Sequence, residues 1–215
     1  MANKWHVEWL NEGVRRWNKR RKKVKFTPDL SGLNFFEALP PDFRDAPKTS
    51  MYFEKIDLSD ADLSGADLSG SNFAKANFTN ANLSEAKLSL SNFMGAKFTN
   101  ANLSNADASS SQFNNARFEN SILTGANFEG ANANEAIFIS SPIEPSQIAS
   151  MERKDIKVFA SRSEYRESVT AFQGQAQYEN YSKSYAVDDT RTPKNKYDVF
   201  FGTNRQPMVE QGAIV

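Results

Sequence analysis

The sequence has no cysteine and a single histidine, His6. The absence of cysteine excludes disulfides and thiolate metal sites and is typical of a reducing compartment. His6 has no second histidine with which to build a metal site, and we expect it to be a surface or packing residue. No apolar run is long enough to span a membrane, and the first ten residues lack the apolar core of a signal peptide. We therefore expect a soluble, cytoplasmic protein.

The charges balance overall but are unevenly distributed. The sequence has 26 basic and 26 acidic residues. Residues 1–50 contain 11 Lys or Arg and 6 Asp or Glu, whereas residues 51–140 contain 5 and 10. The N-terminal part is therefore basic and the middle of the chain is acidic.

A five-residue period runs without interruption from Phe53 to Phe138. Of the eighteen residues at steps of five, sixteen are Leu or Phe, and the exceptions are Ala108 and Ala133. From Ala61 onward, the residue two positions earlier is always Ala or Ser. A period of five fits neither a continuous helix nor a continuous strand, so it predicts a solenoid. We expect the two alanines to narrow the interior or to leave a small void.

A longer period of 20 residues shows how the repeats are grouped. The string FTNANLS occurs at 78–84 and again at 98–104. Positions 20 apart also carry like residues, as in the series Phe78, Phe98, Phe118 and Phe138. Four repeats therefore make one coil, with Leu or Phe pointing inward and like side chains stacked on each other.

The individual repeats resemble a known family. Residues 61–65 and 66–70 read ADLSG, and residues 81–85 read ANLSE. This pattern resembles the pentapeptide-repeat family, whose repeat is Ala, then Asp or Asn, then Leu, then two variable residues. The resemblance implies a mainly β fold, namely a right-handed, four-sided parallel β-helix, a hand that also follows the rule for parallel crossovers. It implies no particular activity.

The N-terminal region predicts one amphipathic helix from about residue 4 to residue 23, capped by Asn3. Trp5, Trp9 and Trp17 are spaced to form an aromatic face on this helix. We expect this face to cover the open end of the solenoid, because an uncovered edge promotes aggregation. The alternative is insertion into a membrane or contact with a partner helix.

A basic run follows the aromatic face. Eight of the eleven residues from 15 to 25 are basic: Arg15, Arg16, Lys19, Arg20, Arg21, Lys22, Lys23 and Lys25. One interpretation is a solvated helix end whose cations favour the negative pole of the helix dipole. The other is contact with nucleic acid, an anionic membrane or an acidic protein.

Together these features predict five segments. They are an N-terminal basic helix (1–27), a partial coil with a Pro-rich loop (28–50), the repeat β-helix (51–140), a C-terminal cap (141–172), and a linker with a terminal strand (173–215). In the last segment, YDVFFGTNR at 197–205 resembles the opening strand of a bacterial α/β-hydrolase family. That family's nucleophile elbow is absent, so the resemblance implies no catalytic residue here.

Four acidic residues cluster at the first regular coil: Asp57, Asp60, Asp62 and Asp67. They are typical of a solvated face, with a divalent-cation site as the alternative. No combination of nucleophile, base and orienting group is visible, so we predict no enzyme activity, no cofactor and no metal. We expect a scaffold that binds a protein partner or assembles into oligomers. The alternatives are a DNA-mimicking inhibitor or protector of DNA gyrase, and the regulatory N-terminal region of a longer α/β-hydrolase.

Overall fold

Parallel pairing between residues 20 apart organises the structure, a computed structural model that describes residues 1–38, 52–151 and 156–174. Four short strands, β1 (Lys97–Thr99), β2 (Arg117–Glu119), β3 (Ile137–Ile139) and β4 (Lys157–Phe159), form one parallel sheet in that order. Elsewhere single bridges repeat the same register, for example Asp62 with Asn82 and Asn82 with Asn102. The predicted parallel β-helix with four repeats per coil is confirmed. Its right-handedness and square outline stay predictions.

Each five-residue repeat ends in a tight turn. The amide of the small residue donates to the carbonyl of the preceding Leu or Phe, as from Ala76 to Phe73 at 3.0 Å. The residue just before that small residue has positive φ, as at Asn80 (59°) and Asn100 (55°). Gly and Asn tolerate this conformation, which type II turns require at their third residue. The variable end of the repeat therefore contains the residues that make the corner.

The interior is filled by stacked side chains, as the 20-residue period predicts. Phe78, Phe98, Phe118 and Phe138 are buried, and successive ring centroids are 5.0, 4.8 and 4.7 Å apart with nearly parallel planes. Ala108 and Ala133 are also buried. Where the same side chain recurs at one position of successive coils, as in this phenylalanine series, one packing arrangement serves those coils.

The N-terminal region contains two helices, so the prediction of one helix is wrong. They are α1 (Lys4–Asn11), capped by Asn3, and α2 (Val14–Lys23). Gly13 separates them with φ of 91°, a conformation outside the helical region that Gly adopts without strain. A short helix, α3 (Phe35–Ala38), follows the first rungs of the solenoid, where Asp29 and Asn34 pair with Asp62 and Asp67.

The solenoid continues beyond residue 140, where the sequence analysis ended it. Strand β4 pairs with β3, and Val158 lies opposite Phe138. Ile143 and Ile148 are buried at the next steps of five after Phe138, and α4 (Pro145–Ser150) occupies part of this last coil. The final described helix is α5 (Arg162–Gly174). The segment placed at 141–172 therefore includes an additional coil as well as a terminal helix.

None of the helices within the described ranges combines the length and apolar character that crossing a bilayer requires.

Candidate functional site

Side chains of α2 pair with the exposed backbone edge of the first regular coil. Within the column, both backbone groups of a residue such as Asn77 bond to the coil below. Its amide donates to the Ile56 carbonyl, and its carbonyl accepts from the Leu58 amide. At Asp57, the backbone amide and carbonyl instead form hydrogen bonds with side chains of α2. The indole Nε1–H of Trp17 donates to the Asp57 carbonyl at 2.7 Å, and the Asp57 amide donates to Asn18 Oδ1 at 2.9 Å. Trp17 and Asn18 thus replace the strand that would otherwise lie there.

Arg21 extends this substitution by one turn of α2. Its side chain is only 6% exposed, and its guanidinium donates to the carbonyls of Phe26 and Ser59. It also forms an ion pair with Asp60 at 3.5 Å. A charge buried to this degree is retained when it is paired and hydrogen-bonded, so Arg21 is committed to the fold.

Helix α1 covers the next edge, at Asp29. The Asn3 amide donates to the Asp29 carbonyl at 2.9 Å, and the Asp29 amide donates to His6 Nδ1 at 3.0 Å. This bond requires His6 to have its Nδ1 free of hydrogen. Hydrogen bonds from the Ser31 hydroxyl and amide lower the pKa of the Asp29 carboxyl below its ordinary value. His6 is therefore part of the cap, and its ring stacks on Phe26 at 5.1 Å.

The three tryptophans do not form one face. Trp17 is fully buried, and Trp9 is half-buried under the Arg20 guanidinium, which lies 4.6 Å from its ring centroid. Trp5 is 63% exposed. The break at Gly13 changes the direction of the helix between Trp9 and Trp17, which explains why the spacing along the sequence did not give one surface.

The basic run divides into two inward and six outward cations. Arg21 is buried, and Arg20 is half-buried against Trp9 with an ion pair to Glu12 at 3.1 Å. The others are exposed: Arg15, Arg16, Lys19, Lys22, Lys23 and Lys25. At 100° per residue, the exposed cations of α2 fall within an arc of about 120° on the side opposite Trp17. The outer side of the cap is thus a basic face.

The acidic cluster is occupied with local hydrogen bonds. Asp57, Asp62 and Asp67 each accept from the amide two residues later, at 3.2, 3.1 and 3.0 Å. Asp60 accepts from Asn80 Nδ2 at 2.9 Å and pairs with Arg21. Within the described ranges, no group of three or more His, Cys, Asp or Glu is placed to hold a metal ion.

The structure also shows an ion cluster around one buried carboxylate, which the sequence pattern did not indicate. The Glu119 side chain is 5% exposed and lies between Arg117, at 3.2 Å, and Arg162 of α5, at 2.7 Å. The Arg117 guanidinium stacks on Tyr165 of α5 at 4.7 Å and donates to its hydroxyl. These contacts fasten α5 to the outside of the column.

A second missed feature is the presence of two exposed apolar side chains in neighbouring repeats. Leu90 is 72% exposed at a turn position with φ of 60°, and Met94 in the next repeat is 41% exposed. The sequence signal was present, since position 90 is a corner that elsewhere carries Gly or a polar residue. The hydrolase-like segment at 197–205 lies outside the described residues.

Comparison with known proteins agrees with the repeat pattern. A family model described as pentapeptide repeats matches in eight copies that together span residues 56–141. A comparison with curated proteins finds no match.

Several solved structures are similar to the chain. One is a pentapeptide repeat protein from the cyanobacterium Cyanothece 51142, at 23% identity, covering 62% of this chain and 87% of that one, with a TM-score of 0.31. Another, from the thylakoid lumen of Arabidopsis thaliana, has 29% identity, coverage of 56% and 72%, and a TM-score of 0.23. A third is QnrB1, a plasmid-mediated fluoroquinolone resistance protein, at 16% identity, coverage of 56% and 81%, and a TM-score of 0.31. The repeat motif, the 20-residue coils and the family model thus agree that residues 56–141 consist of pentapeptide repeats.

Proposed function

We propose that the chain is a non-enzymatic scaffold whose repeat column binds a protein partner or mediates assembly. The observation that carries this proposal is the position of Leu90. Among the described residues, every other non-glycine residue with positive φ is Lys, Asp, Asn, Glu or Ser, so Leu90 is the one apolar side chain at such a corner. Its side chain points into solvent and contributes little to the core.

The conformation of Leu90 is unfavourable for the isolated column. A left-handed backbone at a residue other than Gly or Asn costs roughly 1 kcal/mol. An exposed leucine recovers none of this through burial. Contact with an apolar pocket on a partner would compensate, and Met94, in the next repeat, is a second exposed apolar side chain that could take part.

Substitution at position 90 tests the proposal. Leu90→Asn replaces the apolar group by a residue that favours the left-handed region, so we expect unchanged or slightly increased stability together with loss of partner binding. Ile122→Asn is the matched control, because Ile122 is 51% exposed and its equivalents in the two preceding coils are Asn82 and Asn102. Tagged wild-type protein and both variants would be incubated with a lysate of the source organism, and the captured proteins quantified. Equal capture by wild type and Leu90→Asn would refute a role for Leu90.

The gyrase alternative has less support from the described residues. Imitation of DNA needs an evenly acidic column, whereas Lys75, Lys87 and Lys97 are exposed along this one and the acidic cluster has local partners. A supercoiling assay with DNA gyrase separates the two functions. Inhibition or protection at stoichiometric protein would favour imitation of DNA, and unchanged supercoiling would favour the scaffold. The proposal of a hydrolase regulatory region rests on residues 197–205 and stays a prediction.

A further inference from the structure

We propose that the N-terminal cap docks on an anionic lipid bilayer, with the outer face of α2 and exposed apolar residues of the cap in contact with the headgroups. This inference concerns the N-terminal cap rather than the wall that carries Leu90, and it does not depend on the scaffold function.

The basic face has the charge that such a contact requires. It consists of Arg15, Arg16, Lys19, Lys22 and Lys23, with Lys25 just beyond the helix, and α2 contains no acidic residue. None of these six cations forms an ion pair with any residue that the structure describes. The cations that the fold uses, Arg20 and Arg21, lie outside this face. The face is therefore not needed to hold the cap on the column.

The N-terminal region also carries exposed apolar side chains. Of seven exposed large apolar residues in the described ranges, four lie in the N-terminal 38 residues: Met1, Trp5, Val24 and Phe36. Around α1, Trp5 is about 140° from the buried Leu10 and so points away from the column. Val24 lies between Lys23 and Lys25. Tryptophan favours the headgroup region, where its ring is in an apolar environment and its N–H remains hydrated.

This combination favours a bilayer over a nucleic acid. Firm attachment to a bilayer requires an apolar contribution in addition to basic charge, and the cap offers both. A phosphate backbone would use the cations but leave Trp5 and Val24 without a contact. The arc of cations also contains no aromatic residue on which a nucleic acid base could stack.

The charge distribution of the chain supports one orientation. Residues 51–140 have 10 acidic and 5 basic side chains, so an anionic surface repels the column while it attracts the cap. Because α1 and α2 bind the edges at Asp29 and Asp57, the cap lies at the first-coil end of the column. The protein would then stand on the bilayer with Leu90 accessible on the wall.

Vesicle sedimentation tests the proposal. The full chain would be mixed with phosphatidylcholine vesicles containing 30% phosphatidylserine and, separately, with pure phosphatidylcholine vesicles, both at 0.1 M NaCl. A basic residue near an anionic bilayer is worth about fivefold in binding, so the triple variant Arg15→Gln, Lys19→Gln, Lys22→Gln should bind about 100-fold more weakly. The matched control, Lys75→Gln, Lys87→Gln, Lys97→Gln, removes the same charge from exposed positions on the column and should bind like wild type.

Further measurements separate this proposal from its competitors. On phosphatidylserine vesicles we expect the tryptophan emission of wild type to shift to the blue. Trp5→Gln should abolish this shift and weaken binding severalfold. Raising NaCl to 0.5 M should release wild type, which gives a readout that needs no variant to fold. Absence of binding to phosphatidylserine vesicles, equal binding to pure phosphatidylcholine, or equal loss in both triple variants would overturn the proposal. So would binding of a 20-base-pair DNA duplex by a protein that ignores the vesicles.

Discussion

Removing the Asn18 side chain should destabilise the edge of the first coil, because Asn18 forms hydrogen bonds with two backbone groups there. In Asn18→Ala, the partly buried amide of Asp57 loses its acceptor, and the Lys55 carbonyl loses the donor that now lies 2.8 Å away. An unpaired buried donor costs about 1–3 kcal/mol, whereas the exposed Lys55 carbonyl can bond to water. Alanine is a better helix former than asparagine by about 0.5 kcal/mol, which offsets part of the loss. We expect the free energy of unfolding to fall by about 1.5 kcal/mol.

Two measurements check this value and its location. Urea denaturation gives the change in the free energy of unfolding, and hydrogen exchange gives the protection of each amide. A solenoid is stabilised mainly by contacts between neighbouring coils, so protection should fall at Asp57 and its neighbours and remain near wild type at Phe113. Asn18→Asp is the control, because its carboxylate oxygen can still accept from the Asp57 amide.

The opposite result would show that the helix side chains do not replace a strand. An Asn18→Ala variant as stable as wild type would mean that water satisfies the Asp57 amide equally well. An equal loss of protection at Asp57 and Phe113 would mean that the substitution acts on the whole fold rather than on its edge.

Three further predictions concern single contacts. His6→Ala should lower the free energy of unfolding by about 1 kcal/mol. His6→Asn should lower it much less, because the Asn oxygen can accept from the Asp29 amide in place of Nδ1. Equal losses in the two variants would contradict this contact. Ser31→Ala should raise the pKa of Asp29 toward its ordinary value, as followed by carboxyl NMR. Because the pKa of Asp29 is lowered in the folded protein, the ionised carboxylate stabilises the fold at neutral pH. This stabilisation is lost as the pH falls through the pKa of the folded state, so wild type and variant should become equally stable in acid. Ala108→Leu should lower the free energy of unfolding by about 1–3 kcal/mol, because Phe128 lies one coil above and leaves little room. A gain in stability would contradict this packing. So would an equal loss when Ala108→Leu is introduced into a Phe128→Leu variant.

The repeat column was predictable from the sequence because its rule is local. A side chain at every fifth position must face the interior if the corners recur every five residues, so Phe78 and Phe98 stack whatever the outline of the coil. The same rule reaches past the predicted end of the column. Ile143 and Ile148 keep the step of five, and counting Ile with Leu and Phe would have extended the column by two repeats, which is half a coil.

The cap contacts were not predictable, because they join residues that no periodicity relates. Trp17 and Asp57 are 40 residues apart. The spacing of Trp17 along its helix does not reveal that its indole donates to the Asp57 carbonyl. The same holds for Glu119, whose partner Arg162 is 43 residues away. A single glycine at position 13 was the available sign that the predicted helix is divided.

Two residues of the acidic cluster, Asp57 and Asp60, have a structural origin. Along the corner column, Asn120 donates its side-chain amide to Asn100, Asn100 donates to Asn80, and Asn80 donates to Asp60. Each rung accepts from above and donates below, except the lowest, which has no rung beneath it and needs only to accept. A carboxylate is suited to that position, since it has acceptors alone and forms stronger charge-assisted bonds. Asp60 fulfils this role and also receives the Arg21 ion pair, and Asp57 likewise accepts from Asn77. The negative charges of Asp57 and Asp60 therefore follow from where their ladders end, and by themselves they do not indicate imitation of DNA.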